Sequence, residues 1–545
     1  MMRCCRMVVP LLVLTAACTQ PSTLSQSGQE TNHAEVSALS VAPPDLTSAA
    51  GPEQALFTYV DARAQALASQ EYASPPQIIP AALAALTYEQ YRAIKFRPEM
   101  SLWQDEHRFT VQVLHPGFLY TEPIEIHLVQ DTEVERLPFT KARYRYVGPA
   151  APIADQITGD IGHAGFRIYY PRGGADNREE VVVFLGASYF RLVGHQQVHG
   201  LSARGLAVDA GLESGEEFPA FRAFWLIQPE PEATQLTFFA LLDSPSVTGA
   251  YRFDLDPARH TTLTVDAHLY ARQDVTKLGV APMSSMFLYG PNRLPAFDDF
   301  RPQVHDSDGV LMHTARDEWI WRPLNNGPGL RITSLRDDTP HGFGLVQRER
   351  QFASYLDLEA RYHQRPSYWV EVGEGAWGQG GVELLVIPTS SEFNDNIATY
   401  WVPDAPFNAG DARQYQYRLR TFDSSLATQT LAHVVRTRIG WDALPDQRDP
   451  PPRSQRRFIV DFAGETMPGL DPASTTAVHA VLESSTGQTT DPIVQQLPDG
   501  QSWRVSFVLS PAGDQPADMR LYLTEADRRV SETWNYVWYP DHIIS

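Results

Sequence analysis

The spacing of hydrophobic positions divides the chain into a short helical start and a long body of strands. Residues 51–72 and 81–94 are rich in Ala and Leu and contain few β-branched runs, which predicts short helices. After them come β-branched and aromatic runs of strand length, separated by Pro, Gly and Asp. These runs include residues 179–185, 236–242, 261–270 and 381–387. A turn or short helix near 352–362, stopped by Pro366, interrupts a predicted large all-β domain.

A loop-forming segment separates this body from a second series of strands. Residues 403–411 read Pro-Asp-Ala-Pro-Phe-Asn-Ala-Gly-Asp, and we predict a linker at 403–412. Evenly spaced strands are predicted after it at residues 414–421, 457–462, 477–483, 503–509, 519–523 and 533–539. The pattern therefore favours a large domain over 51–402 and an immunoglobulin-like β-sandwich over 413–545. The Pro-rich segment 441–456 is too long for a tight hairpin, and either a lid or a variable loop fits it.

Residues 1–18 have the pattern of an export signal. Basic Arg3 and Arg6 precede an apolar run over 7–17 that is too short to span a bilayer. The run ends in Leu-Thr-Ala-Ala-Cys, which resembles a lipobox, and we predict lipidation of Cys18, with ordinary cleavage as the alternative. Residues 19–50, rich in Ser, Thr, Gln, Ala and Pro, are predicted to form a flexible tether.

Composition and motifs argue against nucleic-acid binding, disulfides, thiolate metal sites and nucleotide-binding loops. The 545 residues carry a formal net charge of -21, which leaves no basic surface for a phosphate backbone and excludes nucleic acid as a partner. Cys4, Cys5 and Cys18 are the three cysteines, and all fall in the predicted signal, so the mature body is expected to hold no disulfide and no thiolate metal site. Neither a phosphate-binding loop nor a dinucleotide fingerprint occurs in the sequence. We expect no cofactor and no metal.

Long, ordered motifs run through most of the predicted mature chain. They include FLGASYFR (184–191), GLSARGLA (200–207), SGEEFP (214–219), HDSDG (305–309), EWIWRPLNN (318–326), RPS (365–367), NDNI (394–397) and YW (400–401). Through them the chain resembles the periplasmic glucan biosynthesis family (OpgG/OpgD, or MdoG). The resemblance implies a large N-terminal β-sandwich of galactose-mutarotase-like type with a long cleft, followed by a small immunoglobulin-like domain.

The resemblance also implies a function, the biosynthesis of osmoregulated periplasmic glucans through action on the linear β-1,2-glucan backbone. D-type members of the family resemble inverting endo-β-1,2-glucanases, whereas G-type members are much weaker in that chemistry, and the sequence leaves the subgroup open. Two alternatives stay open beside a hydrolase. One is a non-catalytic glucan-binding or length-setting factor, and the other is a transglycosylase that forms branched or cyclic glucan.

The partners and location follow from the same resemblance. It implies β-1,2-glucan as the ligand and the periplasm as the compartment, with the membrane reached only through a lipid on Cys18. It allows contacts with the inner-membrane glucan synthase machinery and a homodimer.

Hydrolysis with inversion requires one carboxylic acid to protonate the leaving oxygen and one carboxylate to activate water. The resemblance assigns the acid to Asp395 and the base to Asp306, and implies proton relay through a substrate hydroxyl or a water chain. Without the resemblance, Asp395 between two Asn residues fits a turn, and Asp306 fits a loop. The enzymatic hypothesis requires that neither carboxyl is sealed inside a core.

Aromatic and charged residues in the matching motifs are candidates for glucan contacts. Flat rings suit the apolar faces of glucose units, and a buried charge needs a partner. The candidate substrate-binding residues are Tyr189, Arg204, Trp319, Trp321, Arg322, Glu359, Trp369 and Trp401. Because most Trp residues of a large sandwich lie in its core, we expect only a minority of these rings to touch sugar. For Glu216 and Glu217, pairing within the protein is favoured.

Overall fold

A computed structural model describes residues 41–49, 51–105, 107–173, 177–292, 298–464 and 478–542. The predicted signal, Cys18 and most of the predicted tether lie outside these residues. Among the helices that are described, none has both the length and the apolar character needed to cross a bilayer.

The prediction of an all-β fold is confirmed, because strands form two very large sheets and smaller ones. A ten-stranded sheet contains Thr110–Leu114, Gly165–Pro171, Arg178–Leu185, Tyr189–Leu192, Ser202–Arg204, Leu206–Val208, Leu278–Ser285, Arg331–Asp338, Gln379–Val386 and Ile397–Pro403. A fifteen-stranded sheet contains Glu125–Gln130, Glu133–Arg136, Ala220–Ile227, Leu236–Asp243, Val247–Asp256, Thr262–Ala271, Gly309–His313, Trp319–Pro323, Gly342–Val346, Ser367–Gly375, Ala412–Phe422, Val478–Ser484, Ala517–Glu525, Arg528–Arg529 and Thr533–Trp538.

The smaller sheets complete the strand inventory. A five-stranded sheet contains His433–Trp441, Arg456–Ala463, Gln488–Thr489, Ile493–Gln496 and Ser502–Ser510. Two-stranded sheets pair Ile94–Phe96 with Tyr144–Tyr146, and Phe287–Tyr289 with Val304–His305. The strand His433–Trp441 was missed by the sequence pattern.

The two large sheets face each other across the main core. Along Thr262–Ala271 every second residue is buried, the two-residue period of a strand with one face toward a core. Phe184 of the ten-stranded sheet lies 5.5 Å from Phe238 and 5.4 Å from Phe253 of the fifteen-stranded sheet, between ring centroids. Such edge-to-face contacts fix the spacing between the sheets.

Both predicted helical regions contain helices. The first forms Pro52–Ala68, with Pro at its first turn, and the second forms Ala81–Ala84 and Tyr88–Arg92. The longest helix packs Leu56, Phe57, Val60 and Ala64 against the outer face of the fifteen-stranded sheet. Six 3₁₀ turns are described, at Pro98–Met100, Lys141–Arg143, Gly148–Gln156, Phe352–Ser354, Tyr362–Gln364 and Pro540–His542. Two of them lie in the predicted turn region near 352–362.

The C-terminal strands pack into a second core but remain joined to the large body. Strand Thr533–Trp538 pairs in parallel with Trp319–Pro323, so the fifteen-stranded sheet continues from one unit into the other. Strand Ala412–Phe422, which the sequence pattern assigned to the C-terminal domain, instead pairs with Thr262–Ala271 and Ser367–Gly375. This register favours a domain boundary after Phe422 over the predicted linker at 403–412, and we propose the boundary there.

Candidate active site

The two predicted catalytic carboxylates come close together because a chain neighbour of each is bound to one short strand. Strand Phe287–Tyr289 pairs with Val304–His305, and the amide N–H of Asp306 donates to the carbonyl of Met286 at 2.8 Å. On the other side, the Asn396 side chain accepts from the N–H of Phe287 at 2.8 Å and donates to its carbonyl at 3.1 Å. Asp306 and Asp395 are thus brought close enough for the charge of Asp395 to raise the pKa of Asp306, although they are far apart in the chain.

Asp306 is completely buried, with 0% exposure, and pairs with the buried guanidinium of Arg365 through one carboxylate oxygen. Its other oxygen, Oδ2, has no hydrogen-bond partner among the described residues. Burial raises the pKa of Asp306 to about 6, against the lowering effect of Arg365, and the nearby Asp395 raises it further. A carboxyl with this pKa is mostly ionised at pH 7 and can accept a proton near neutrality.

Asp395 is only partly buried. Its Oδ2 accepts from the Ser202 hydroxyl at 3.5 Å, and Ser202 Oγ in turn accepts from Arg191 Nε at 2.9 Å. The Oδ1 atom has no partner among the residues that the structure describes. Burial raises the pKa of Asp395, while Arg191, Arg204 and Arg365 oppose that shift. A raised pKa keeps a larger fraction of the carboxyl protonated, as a proton donor requires.

Tyr189 and Arg204 lie beside Asp395 and belong to the same site. The Arg204 guanidinium lies 4.5 Å from the centre of the Tyr189 ring, and Arg204 also pairs with Glu216 and donates to Ser284 Oγ at 3.2 Å. Burial raises the pKa of Tyr189 to about 12, so its hydroxyl keeps its proton, and that hydroxyl has no partner within the described part of the chain. Tyr189 is therefore available to donate a hydrogen bond to a ligand.

The predicted tryptophan contacts are not supported, because all four side chains are buried in cores. Trp401 lies in the main core, where its Nε1 donates to the carbonyl of Trp377 at 3.1 Å. Trp319, Trp321 and Trp369 belong to the second core, together with C-terminal strands, and the rings of Trp319 and Trp369 stack at 5.7 Å. The aromatic residues spaced along the motifs therefore reflect packing in the two cores rather than a sugar surface.

The two remaining candidates also lie away from the paired carboxylates. The buried Arg322 donates to Asn535 Oδ1 at 2.7 Å and so joins the large body to the C-terminal strands. Glu359 is exposed on the segment between two 3₁₀ turns, where its N–H donates to Asp357 at 2.9 Å. As favoured from the sequence, Glu216 pairs with Arg204, and Glu217 accepts from the hydroxyl of Ser246 at 2.8 Å.

Three residues of the site were missed by sequence reasoning. Arg365 pairs with Asp306, Arg191 supports Ser202 beside Asp395, and Tyr362 lies under the Arg365 guanidinium at 4.3 Å. Both arginines stand in the motifs that carry the family resemblance, at 184–191 and 365–367. The criterion of a charged residue within an otherwise apolar motif, which selected Arg204, would have found Arg191 as well.

The part of the chain that the structure describes contains no group of three or more His, Cys, Asp or Glu side chains arranged to hold a metal ion. The candidate site presents carboxyl, guanidinium and hydroxyl groups of the chain. Two carboxyls of raised pKa beside three arginines form an arrangement suited to proton transfer and to binding a hydroxyl-rich ligand.

Comparison with known proteins gives the class to which this fold and site belong. The family described as "Periplasmic glucan biosynthesis protein, MdoG" matches residues 56–538. This chain belongs to that family, whose description places its members in the periplasm and in glucan biosynthesis.

Similar curated proteins share one name. "Glucans biosynthesis protein G" of Rhodopseudomonas palustris (strain CGA009) is 44% identical over 88% of this chain and 92% of its own length. The protein of the same name from Bradyrhizobium diazoefficiens is 41% identical, covering 89% of this chain and 93% of that protein. The one from Dickeya dadantii is 39% identical, with 87% and 91% covered. The similarity therefore extends over nearly the whole length of each relative.

Proposed function

We propose that this protein hydrolyses the linear β-1,2-glucan backbone with inversion, with Asp395 as the general acid and Asp306 as the general base. The observation that carries the proposal is the convergence of two carboxyls of raised pKa on one short strand, each with an unpartnered oxygen among the described residues. Asp395 would protonate the leaving oxygen, and the ionised Asp306 would receive the proton that the attacking water loses.

Asp306 does not meet the condition set from the sequence, that neither carboxyl be sealed inside a core, because its side chain is completely buried. A direct role for it as the base is therefore not proposed, and its burial decides how a proton would reach it. Its carboxylate has no exposed surface, so the attacking water cannot touch it directly in this conformation. We therefore propose an indirect transfer, in which a relay of hydroxyl groups or water carries the proton to Asp306. Because burial and the nearby Asp395 hold the pKa of Asp306 at about 6, a proton arriving along such a relay is accepted at slightly acidic to neutral pH.

Product analysis tests this function directly. Purified full-length protein is incubated with linear β-1,2-glucan, and the products are separated by chain length and linkage. Shorter linear chains are expected from the wild type, with a loss of about 10²–10⁴ in kcat for Asp395→Asn. Asp404→Asn, which changes an exposed carboxylate paired with Arg336, is the matched control and should keep full activity. If Asp395→Asn cleaves as fast as the wild type, Asp395 is not the acid.

A second function is supported by a specific observation. The complete burial of Asp306, and the name "Glucans biosynthesis protein G" shared by similar relatives, both favour a G-type protein that binds the glucan or sets its length with little hydrolysis. That function predicts unchanged polymer in the product assay together with measurable glucan binding. New linkages or branched and cyclic products would instead identify a transglycosylase.

A further inference from the structure

An exposed apolar surface lies on loops connected to the candidate active site. Three large hydrophobic side chains are strongly exposed there: Phe300 at 76%, Leu358 at 68% and Phe393 at 52%. We call these three residues the rim patch. Single exposed hydrophobic residues are ordinary, but these three stand on loops whose neighbouring charged residues are bound to one another.

One guanidinium holds the three loops together. Arg301 donates to Asp299 at 2.7 Å, to Asp357 at 2.9 Å and to Glu392 at 2.8 Å. Each member of the rim patch is a sequence neighbour of this ion network: Phe300 lies between Asp299 and Arg301, Leu358 follows Asp357, and Phe393 follows Glu392. The side chains of the network are mostly buried, so the charges anchor the loops while the apolar residues remain exposed.

The network continues directly into the candidate active site. Glu392 also accepts a hydrogen bond from the Tyr362 hydroxyl at 2.8 Å. The guanidinium of Arg365 lies over the Tyr362 ring and pairs with Asp306. Phe393 stands two positions before Asp395. The ion network is therefore joined to Asp306 by a series of contacts, and to Asp395 by the short segment 392–395.

We propose that the rim patch is an additional binding site for the glucan chain, which holds the apolar faces of sugar units that extend beyond the reacting bond. This inference rests on the proposed function for its ligand class. The charge of the surroundings favours a neutral polymer, because three carboxylates face a single guanidinium and would repel an anionic lipid or nucleic acid. The exposed rings of Phe300 and Phe393 also suit a ligand that presents C–H groups on its faces.

The site predicts a dependence on chain length. If the rim patch holds sugar units beyond the reacting bond, a long chain gains its contacts and an oligosaccharide short enough to fill only the positions at the carboxylates does not. Removal of the apolar side chains should therefore weaken the binding of long glucans and leave short ones unaffected. A structural role for the same residues would alter both equally.

Affinity measurements separate these outcomes. Binding of long and short linear β-1,2-glucans is measured by calorimetry on full-length protein carrying Asp395→Asn, with and without Leu358→Ser and Phe393→Ser together. We expect Kd for the long glucan to rise about tenfold or more, and Kd for a short oligosaccharide to change less than about twofold. Ile493→Ser, a similarly exposed residue on the five-stranded sheet, is the control and should change neither.

Two results would overturn the inference. Long-glucan affinity that does not change would mean that the rim patch receives something else, such as a protein partner or a second copy of the chain. Equal losses for long and short glucans would mean that the substitutions act on the site as a whole. The binding result is independent of hydrolysis. A chain-length effect on binding, with no cleavage by the wild type, would support the rim patch and contradict the proposed hydrolysis. Cleavage by the wild type, with no chain-length effect on binding, would support the proposed hydrolysis and contradict the rim patch.

Discussion

Replacing Arg365 by Gln should move the pH dependence of the reaction, because Arg365 is the cation paired with the proposed base. The pair is buried on both sides, so solvent screens it little. Burial already raises the pKa of Asp306 to about 6 with the arginine in place. An adjacent opposite charge lowers a carboxyl pKa by about 1–3 units, so its removal should bring the pKa of Asp306 to roughly 7–9.

The size of the expected effect follows from the ionised fraction. At pH 6.5 a carboxyl of pKa about 6 is roughly three quarters ionised, and one of pKa about 8 is only about 3% ionised. The activity of Arg365→Gln at pH 6.5 should therefore fall roughly twentyfold, and the acidic limb of kcat/KM should move to higher pH by about two units. The shift corresponds to about 3 kcal/mol of lost interaction with the ionised form.

The assay is the release of reducing ends from linear β-1,2-glucan between pH 5 and 9, with kcat/KM fitted for the acidic limb. Arg365→Lys keeps a positive charge and should hold that limb near its original position, although it loses the planar geometry of the guanidinium. Circular dichroism and thermal melting confirm that both variants are folded. A folded Arg365→Gln variant with an unshifted acidic limb would refute the assignment of that limb to Asp306.

Other predictions concern stability. Burial raises the pKa of Asp308 to about 6 from 3.8, so its contribution to stability is fully present below pH 4 and is lost as the pH rises through about 6. Asp308→Asn stays neutral at every pH, so the difference in unfolding free energy between this variant and the wild type should be about 1–3 kcal/mol more favourable to the variant at pH 7.5 than at pH 4. Urea unfolding at both pH values measures this difference, and an equal difference at both would contradict the prediction. Trp321→Ala should cost about 3–5 kcal/mol, because the ring is buried in the second core under the Arg348 guanidinium, and a change below 1 kcal/mol in urea unfolding would show that the junction is not packed as described.

The fold was predictable where local patterns decide it. Alternating burial along Thr262–Ala271 and the regular spacing of the C-terminal strands both follow from the two-residue period of a strand with one buried face. The sheet that strand Ala412–Phe422 joins was not predictable in the same way. Strand Ala412–Phe422 has the same period whichever sheet it joins, and its partners, Thr262–Ala271 and Ser367–Gly375, are set by long-range pairing that no local pattern encodes.

For the candidate site, the sequence indicated which residue types take part but not how buried each side chain is. Resemblance pointed to Asp306 and Asp395. The binding of their neighbours His305 and Asn396 to Phe287–Tyr289 gives a physical reason for two distant residues to come close. Whether a residue is buried, however, depends on which distant segments pack over it, and the sequence pattern does not show this. The rings of Trp319 and Trp321 were predicted as sugar contacts, but they lie in the second core. The same argument applies to Asp306 itself: its type suits a base, whereas its burial requires that any proton reach it through intermediate groups. The pH dependence of Arg365→Gln therefore tests the environment of the carboxyl, which the sequence alone could not define.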